Sequence, residues 1–171
     1  MVQLWVNLPV KDKLTTPGYQ SIANADIPVA LLANGAGRAR IIAGDFAGTK
    51  GAARSFSPIN VWDIRLNRDA DVLLDLPEGH TAMVAVLAGH VTVNGKEGAG
   101  EAQIVRFERD GSQVSLHADS DTMLLVLTGE PLGDPVYGHG PFVMTNEKEI
   151  RQAIDDFNSG RFGQVAREAA R

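Results

Sequence analysis

The stretch "TAMVAVLAGHVTVNGKE", residues 81–97, decides the fold. Its first eight residues read as a buried strand. Ala88-Gly89 breaks the run, and "HVTV" resumes as a second strand. Asn94-Gly95 then suits a tight hairpin turn, because both residues tolerate positive φ. Strand, break, strand, turn within seventeen residues leaves no room for a helix.

The same pattern extends outward in both directions. "PVALLANG" and "ARIIAGDFAG" lie upstream, broken by Asn-Gly and Ala-Gly. In "NVWDIRL" Val61, Asp63 and Arg65 alternate with Trp62, Ile64 and Leu66, the period of a strand with two unlike faces. "DVLLDL", "AQIVRF", "SQVSLHA" and "TMLLVLTG" continue the series to Leu127. Turn signals recur about every 8–12 residues, the spacing of an all-β sandwich or barrel. Near the N-terminus "VQLWVNL" alternates Leu4, Val6 and Leu8 on one face and reads as one further strand ending at Pro9.

One helix is expected. Asn146 is a good N-cap, and Glu149 three residues later completes a capping-box pattern. Ile150, Ala153, Ile154 and Phe157 form an apolar stripe suited to docking on a sheet. Gly160 stops the helix, and "VAREAAR" extends it or frays. Phe142 and Met144 anchor the turn before it.

Composition bounds the function. The 171 residues suffice for one core. Net charge is −5, and the 16 basic residues are scattered, with Arg38 and Arg40 the densest pair, so direct nucleic-acid binding is not expected. There is no cysteine, which removes disulfides, thiolate metal sites and cysteine nucleophiles. No apolar run is long enough to span a bilayer, and the N-terminus lacks the layout of a secretory signal; a cytoplasmic location is expected. "GAGRAR" lacks the third glycine and the βαβ setting of a dinucleotide fingerprint. No serine lies in a G-x-S-x-G context.

Four histidines remain: His80, His90, His117 and His139. Two ligands two residues apart on a strand would share a face, and no His-x-His pair exists. A site from distant strands would draw on His80, His117 and Glu78. Against it, His80 reads as a turn histidine and His90 as solvent-exposed. His117 shares a polar face with Ser115 and Asp119. His139 sits between glycines, Pro141 holds Gly140 extended, and the ring is expected to fix that turn by a hydrogen bond. Asp69, Asp71, Asp119 and Asp121 read as solvated turn residues. Trp5 and Trp62 read as core or interface residues.

"LWVNLP" at residues 4–9, "GEPL" at 129–132 and "GPFVMTNEKEI" at 140–150 resemble the C-terminal half of the pirin family, and the likeness covers nearly the whole chain. The resemblance implies a cupin-type jelly-roll β-barrel or sandwich with a short C-terminal helix. It divides the chain into a residual strand and linker (1–20), the barrel (21–145), and the helix with its tail (146–171). Family members resemble two cupin barrels in tandem. The first holds iron or another transition metal on three histidines and a glutamate. Some are similar to quercetin 2,3-dioxygenases, and others act as transcription-linked cofactors. No residue here matches that ligand set. The resemblance therefore implies a chain with no cofactor or catalytic residue of its own, with His80, His117 and His139 as weak alternatives for a metal.

Deprived of the first barrel, the "LWVNL" strand would present unpaired backbone groups. The expected outcome is a homo-oligomer through Leu4, Trp5, Val6 and Leu8, or a contact with a protein partner. The leading functional expectation is a metal-free structural or interaction module. The alternative is one part of a quercetin 2,3-dioxygenase-like oxygenase whose metal lies in the other half. A third option is a small apolar molecule held inside the barrel. For His139→Ala, loss of a buried hydrogen bond would cost about 1 kcal/mol.

Overall fold

The computed structural model describes residues 2–162. It divides into two compact units, Ile22–Pro131 and a unit built from both chain ends, Met1–Ser21 with Leu132–Arg171. In chain order the strands of the first unit are β1 (Val29–Leu31), β2 (Gly37–Ala43), β3 (Asp45–Phe46), β4 (Thr49–Lys50), β5 (Ile59–Leu66), β6 (Asp71–Asp75), β7 (Thr81–Ala88), β8 (His90–Val93), β9 (Glu97–Gly100), β10 (Ile104–Arg106), β11 (Gln113–Ala118) and β12 (Thr122–Gly129). The end unit holds β13 (Tyr137–His139), β14 (Phe142–Met144) and the helix α1 (Glu147–Asn158).

Alternation on the strands builds the first unit. A six-stranded sheet runs β1-β2-β5-β12-β7-β10, and a four-stranded sheet runs β6-β11-β8-β9. Every pairing within them is antiparallel. Ile41, Trp62, Ile64, Val84, Val86, Leu124 and Val126 from one sheet meet Leu74, Val91, Val93, Val114 and Leu116 from the other in a single buried cluster. Each such side chain stabilises by about 1.5–3 kcal/mol relative to exposure. Phe46 of the β3–β4 hairpin meets Trp62 edge to face, with ring centroids 4.9 Å apart. The expected all-β sandwich with a short C-terminal helix is what forms.

Two polar side chains are pulled into this interior for a structural purpose. Asn60 and Thr128 face each other across β5 and β12. Asn60 Nδ2 donates to Thr128 Oγ1 at 2.8 Å, and Asn60 Oδ1 accepts from the Asp45 backbone N–H at 3.0 Å. Buried polar atoms satisfied in this way fix register at little cost. Among the described residues the Trp62 indole nitrogen has no hydrogen-bond partner.

The turns follow the residues that define them. Asn94 and Gly95 take φ of 51° and 62°, so β8 and β9 are joined as the Asn-Gly pair predicts. β9, over "EGAG", has too little apolar character to be read as a strand in advance. "PVALLANG" is shorter as a strand than its apolar run, because Asn34 turns at φ 55° inside a 3-10 turn over Ala33–Gly35.

The end unit departs from expectation in three places. Residues 3–8 form no strand; a strand exists only where a partner completes its ladder, and alternation alone does not supply one. The segment enters a 3-10 turn at Val10–Asp12. There the Val10 N–H donates to Asp134 Oδ2 at 2.9 Å, and Lys13 Nζ reaches Asn7 Oδ1 at 2.8 Å and the Val143 carbonyl at 3.2 Å. The region around His139 is a two-stranded hairpin, and Gly140 turns at φ 55°, not in extended geometry. The helix cap forms as expected at Asn146, whose Oδ1 accepts from the Glu149 N–H at 3.0 Å. Glu149 reaches one residue further back than a capping box requires, accepting from the Thr145 N–H at 2.9 Å and hydroxyl at 2.6 Å. Met144, Ile150 and Ala153 are buried together, but Phe157 of the expected stripe is 63% exposed, in contact with Phe142 and Phe162. The tail "VAREAAR" lies outside the described residues.

Gly89 joins β7 to β8 at φ 83°, and a Cβ there would lie 2.5 Å from the Asp121 carbonyl and the Thr122 hydroxyl. Gly89→Ala is therefore expected to destabilise by more than about 1 kcal/mol, read as a lower midpoint of urea unfolding. An unchanged midpoint contradicts this account of the turn.

Candidate functional site

Ionisable side chains converge on the outer face of the four-stranded sheet. Inward residues on β11 are Val114, Leu116 and Ala118, so Ser115 and His117 face out. The same alternation turns Asp71 and Leu73 outward on β6, and His90 and Thr92 outward on β8. Register then places His117 opposite both Asp71 and Thr92.

The result is an alternating row of bases and acids. His117 Nδ1 lies 2.9 Å from Asp71 Oδ1, and His90 Nδ1 lies 2.6 Å from Asp119 Oδ2. Thr92 Oγ1 donates to the same Asp119 oxygen at 3.3 Å. Asp119 Oδ1 and His117 Nε2 are 3.9 Å apart, close enough to attract but beyond hydrogen-bond reach. Asp71 raises the His117 pKa through its hydrogen bond, aided by the charges of Asp71, Asp119 and Asp69 against some desolvation. Asp119 is held below the usual carboxylate range, first by the His90 hydrogen bond.

Beside this row runs an open groove of about 740 Å³. Its apolar wall is Leu31, Leu32, Phe46, Val72, Leu73 and Leu116, and Asp71, Thr92, Ser115 and His117 supply its polar groups. Each carboxylate of the row already accepts from a ring, so the arrangement mainly ties β6, β8 and the segment after β11 together. At such exposure a pair of this kind contributes little stability singly.

The histidines singled out in the sequence do not meet. His80 is half-buried, with Nδ1 3.5 Å from Thr128 Oγ1, at the limit of a hydrogen bond. Glu78 is exposed. His117 bonds to Asp71. His139 is exposed on β13, and among the described residues no hydrogen bond to its ring is found, which removes the expected buried bond. Among the described residues no three His, Asp or Glu side chains are placed to share a metal ion. Sequence reading missed Asp71 and Asp119 as partners, because both looked like loop carboxylates. The usable signal was the two-residue spacing of His117 and Asp119; the register that brings Asp71 opposite was not visible.

At the N-terminus of the end unit Leu4, Trp5 and Val6 are 47%, 74% and 47% exposed, and Leu8 is half-buried. Three consecutive large apolar side chains in water are unusual for a settled surface.

Comparison with known proteins gives these features a setting. The profile of the pirin C-terminal cupin domain matches residues 61–163. A Pseudomonas aeruginosa protein named "Putative quercetin 2,3-dioxygenase" is 49% identical over 162 residues, covering 95% of this chain and 56% of that protein. Human pirin is 30% identical over 166 residues, covering 95% and 57%. The crystal structure of a quercetin 2,3-dioxygenase from Acinetobacter baumannii superposes with a TM-score of 0.88 at 46% identity, covering 95% of this chain and 56% of that one. The chain thus spans little more than half the length of these relatives.

Two outcomes are expected. The His117 ring should titrate above its ordinary 6.5 by NMR, and Asp71→Asn should bring the midpoint down. Because the folded pKa is raised, the stability it contributes is complete below the unfolded pKa and lost as pH rises through the folded one. A midpoint unmoved by Asp71→Asn contradicts the assignment. His139→Ala should change stability by no more than about 0.5 kcal/mol, as for a surface side chain without a partner; a loss near 1 kcal/mol in chemical denaturation would restore the buried-bond reading.

Proposed function

The chain belongs to the pirin family, as its C-terminal cupin domain, and from that premise we propose that it is a non-catalytic interaction module that self-associates through residues 4–8. The observation behind this is the exposed run Leu4-Trp5-Val6. Tryptophan set among aliphatic side chains is the composition that dominates binding energy at interfaces. Such a run, not committed to a sheet of its own chain, can add to a second copy by backbone pairing as well as by apolar burial. A module of this kind needs no cofactor, and the His117–Asp71 and His90–Asp119 pairs serve as strand staples.

A second reading is favoured by the names of the relatives. In it the chain is one part of a quercetin 2,3-dioxygenase-like oxygenase, and the transition metal, iron in the simplest case, is held outside these 171 residues. The two readings are compatible in a longer protein and differ for this chain taken alone.

Light scattering coupled to size exclusion tests the first reading. The 171-residue chain should run as a dimer or larger, and Trp5→Ser with Val6→Ser should shift it to monomer. An intact chain that is monomeric at micromolar concentration overturns it. Elemental analysis of untagged protein belongs to the same experiment: stoichiometric iron, copper or nickel, with oxygen consumption on quercetin, would move the catalytic role into this chain.

A further inference from the structure

The outer face of the six-stranded sheet carries two neighbouring cross-strand rows with opposite electrostatics. In one, Arg40 on β2 stands opposite Asp63 on β5. Arg40 Nη1 meets Asp63 Oδ2 at 2.7 Å, and Nη2 donates to Asn24 Oδ1 at 2.7 Å. That row is neutral in charge, and Asp63 Oδ1 is buried without a hydrogen-bond partner among the described residues.

Two residues along, Arg38 stands opposite Arg65. The row continues to Leu31 on β1 on one side, and to Met123 on β12 and Ala88 on β7 on the other. Both arginines are exposed, and among the described residues neither makes a hydrogen bond or ion pair. Like charges directly opposite on a sheet repel. This pair persists in a chain whose net charge is −5, where a carboxylate partner would be easy to supply. Asp121, which also lines the groove beside this row, uses Oδ1 to accept from the Arg68 backbone N–H at 2.9 Å and, among the described residues, pairs with neither guanidinium.

The row lies along a groove of about 580 Å³. That falls within the roughly 300–1,000 Å³ typical of small-molecule sites. Leu31, Leu66, Ala88 and Met123 give it apolar walls around Arg38 and Arg65. Guanidinium groups recognise planar or tetrahedral oxyanions through paired N–H donors. We propose that this groove binds an organic oxyanion, a carboxylate or phosphate carried on an apolar body, gripped between Arg38 and Arg65. Its body lies against Leu31 and Met123. The proposal does not rest on self-association through residues 4–8.

Isothermal titration calorimetry on the full chain at low salt tests it, with phenyl phosphate, benzoate and inorganic phosphate as probes. Saturable one-site binding of phenyl phosphate or benzoate is expected, tighter than inorganic phosphate and weakened by salt. Which organic anion binds better identifies the phosphate or the carboxylate as the preferred head group. Arg38→Gln and Arg65→Gln should each weaken binding roughly tenfold or more. Each should also raise the urea midpoint of the unliganded protein, since the repulsion is relieved. Lys96→Gln, in the turn between β8 and β9, should change neither. No saturable binding of either organic anion, or undiminished affinity in both arginine variants, overturns the proposal. Inorganic phosphate binding as tightly as phenyl phosphate overturns the role of the apolar walls.

Discussion

The whole β unit depends on two apolar sheet faces excluding water from each other. Trp62, Ile64 and Leu124 on one side, with Leu74, Leu116 and Val91 on the other, are essentially dry. Once these inward faces are set, alternation dictates every outward one, because successive side chains on a strand point to opposite sides. Asn60 and Thr128 are a directly facing polar pair on β5 and β12, and their mutual hydrogen bond is what makes their burial tolerable.

The chemistry of the surface follows from that division. Outward positions collect Asp71, His117 and His90 on one sheet, and Arg38, Arg40, Asp63 and Arg65 on the other. On the first, acids and bases satisfy one another. On the second, one row pairs a guanidinium with a carboxylate and the adjoining one holds two cations facing each other. The contrast between Arg40–Asp63 and Arg38–Arg65, built on the same strands two residues apart, shows how strongly the charge of a sheet surface depends on a single choice of side chain per row.

Membership of the pirin family rests on more than half the chain, and the similarity to longer relatives extends over 95% of it. The cluster of histidines that an oxygen-activating metal requires is not assembled among the described residues, where His80, His117 and His139 lie in separate settings with different neighbours. Across many architectures a shared fold does not by itself fix the chemistry.

Strand existence was legible in the sequence because it is a local property: "TAMVAVLAGHVTVNGKE" shows apolar runs, a glycine break and an Asn-Gly turn, and each appears where it reads. The helix was legible for the same reason, from Asn146 and the spacing of Ile150 and Ala153. Residues 3–8 had the pattern of a strand and did not become one, since a ladder needs a partner that the pattern does not name. Only the tertiary structure decided that Asp71 stands opposite His117 and that Arg38 stands opposite Arg65. Register joins residues dozens of positions apart, and it is set by which faces are buried together, a property of the assembled sheets and of no single stretch of chain.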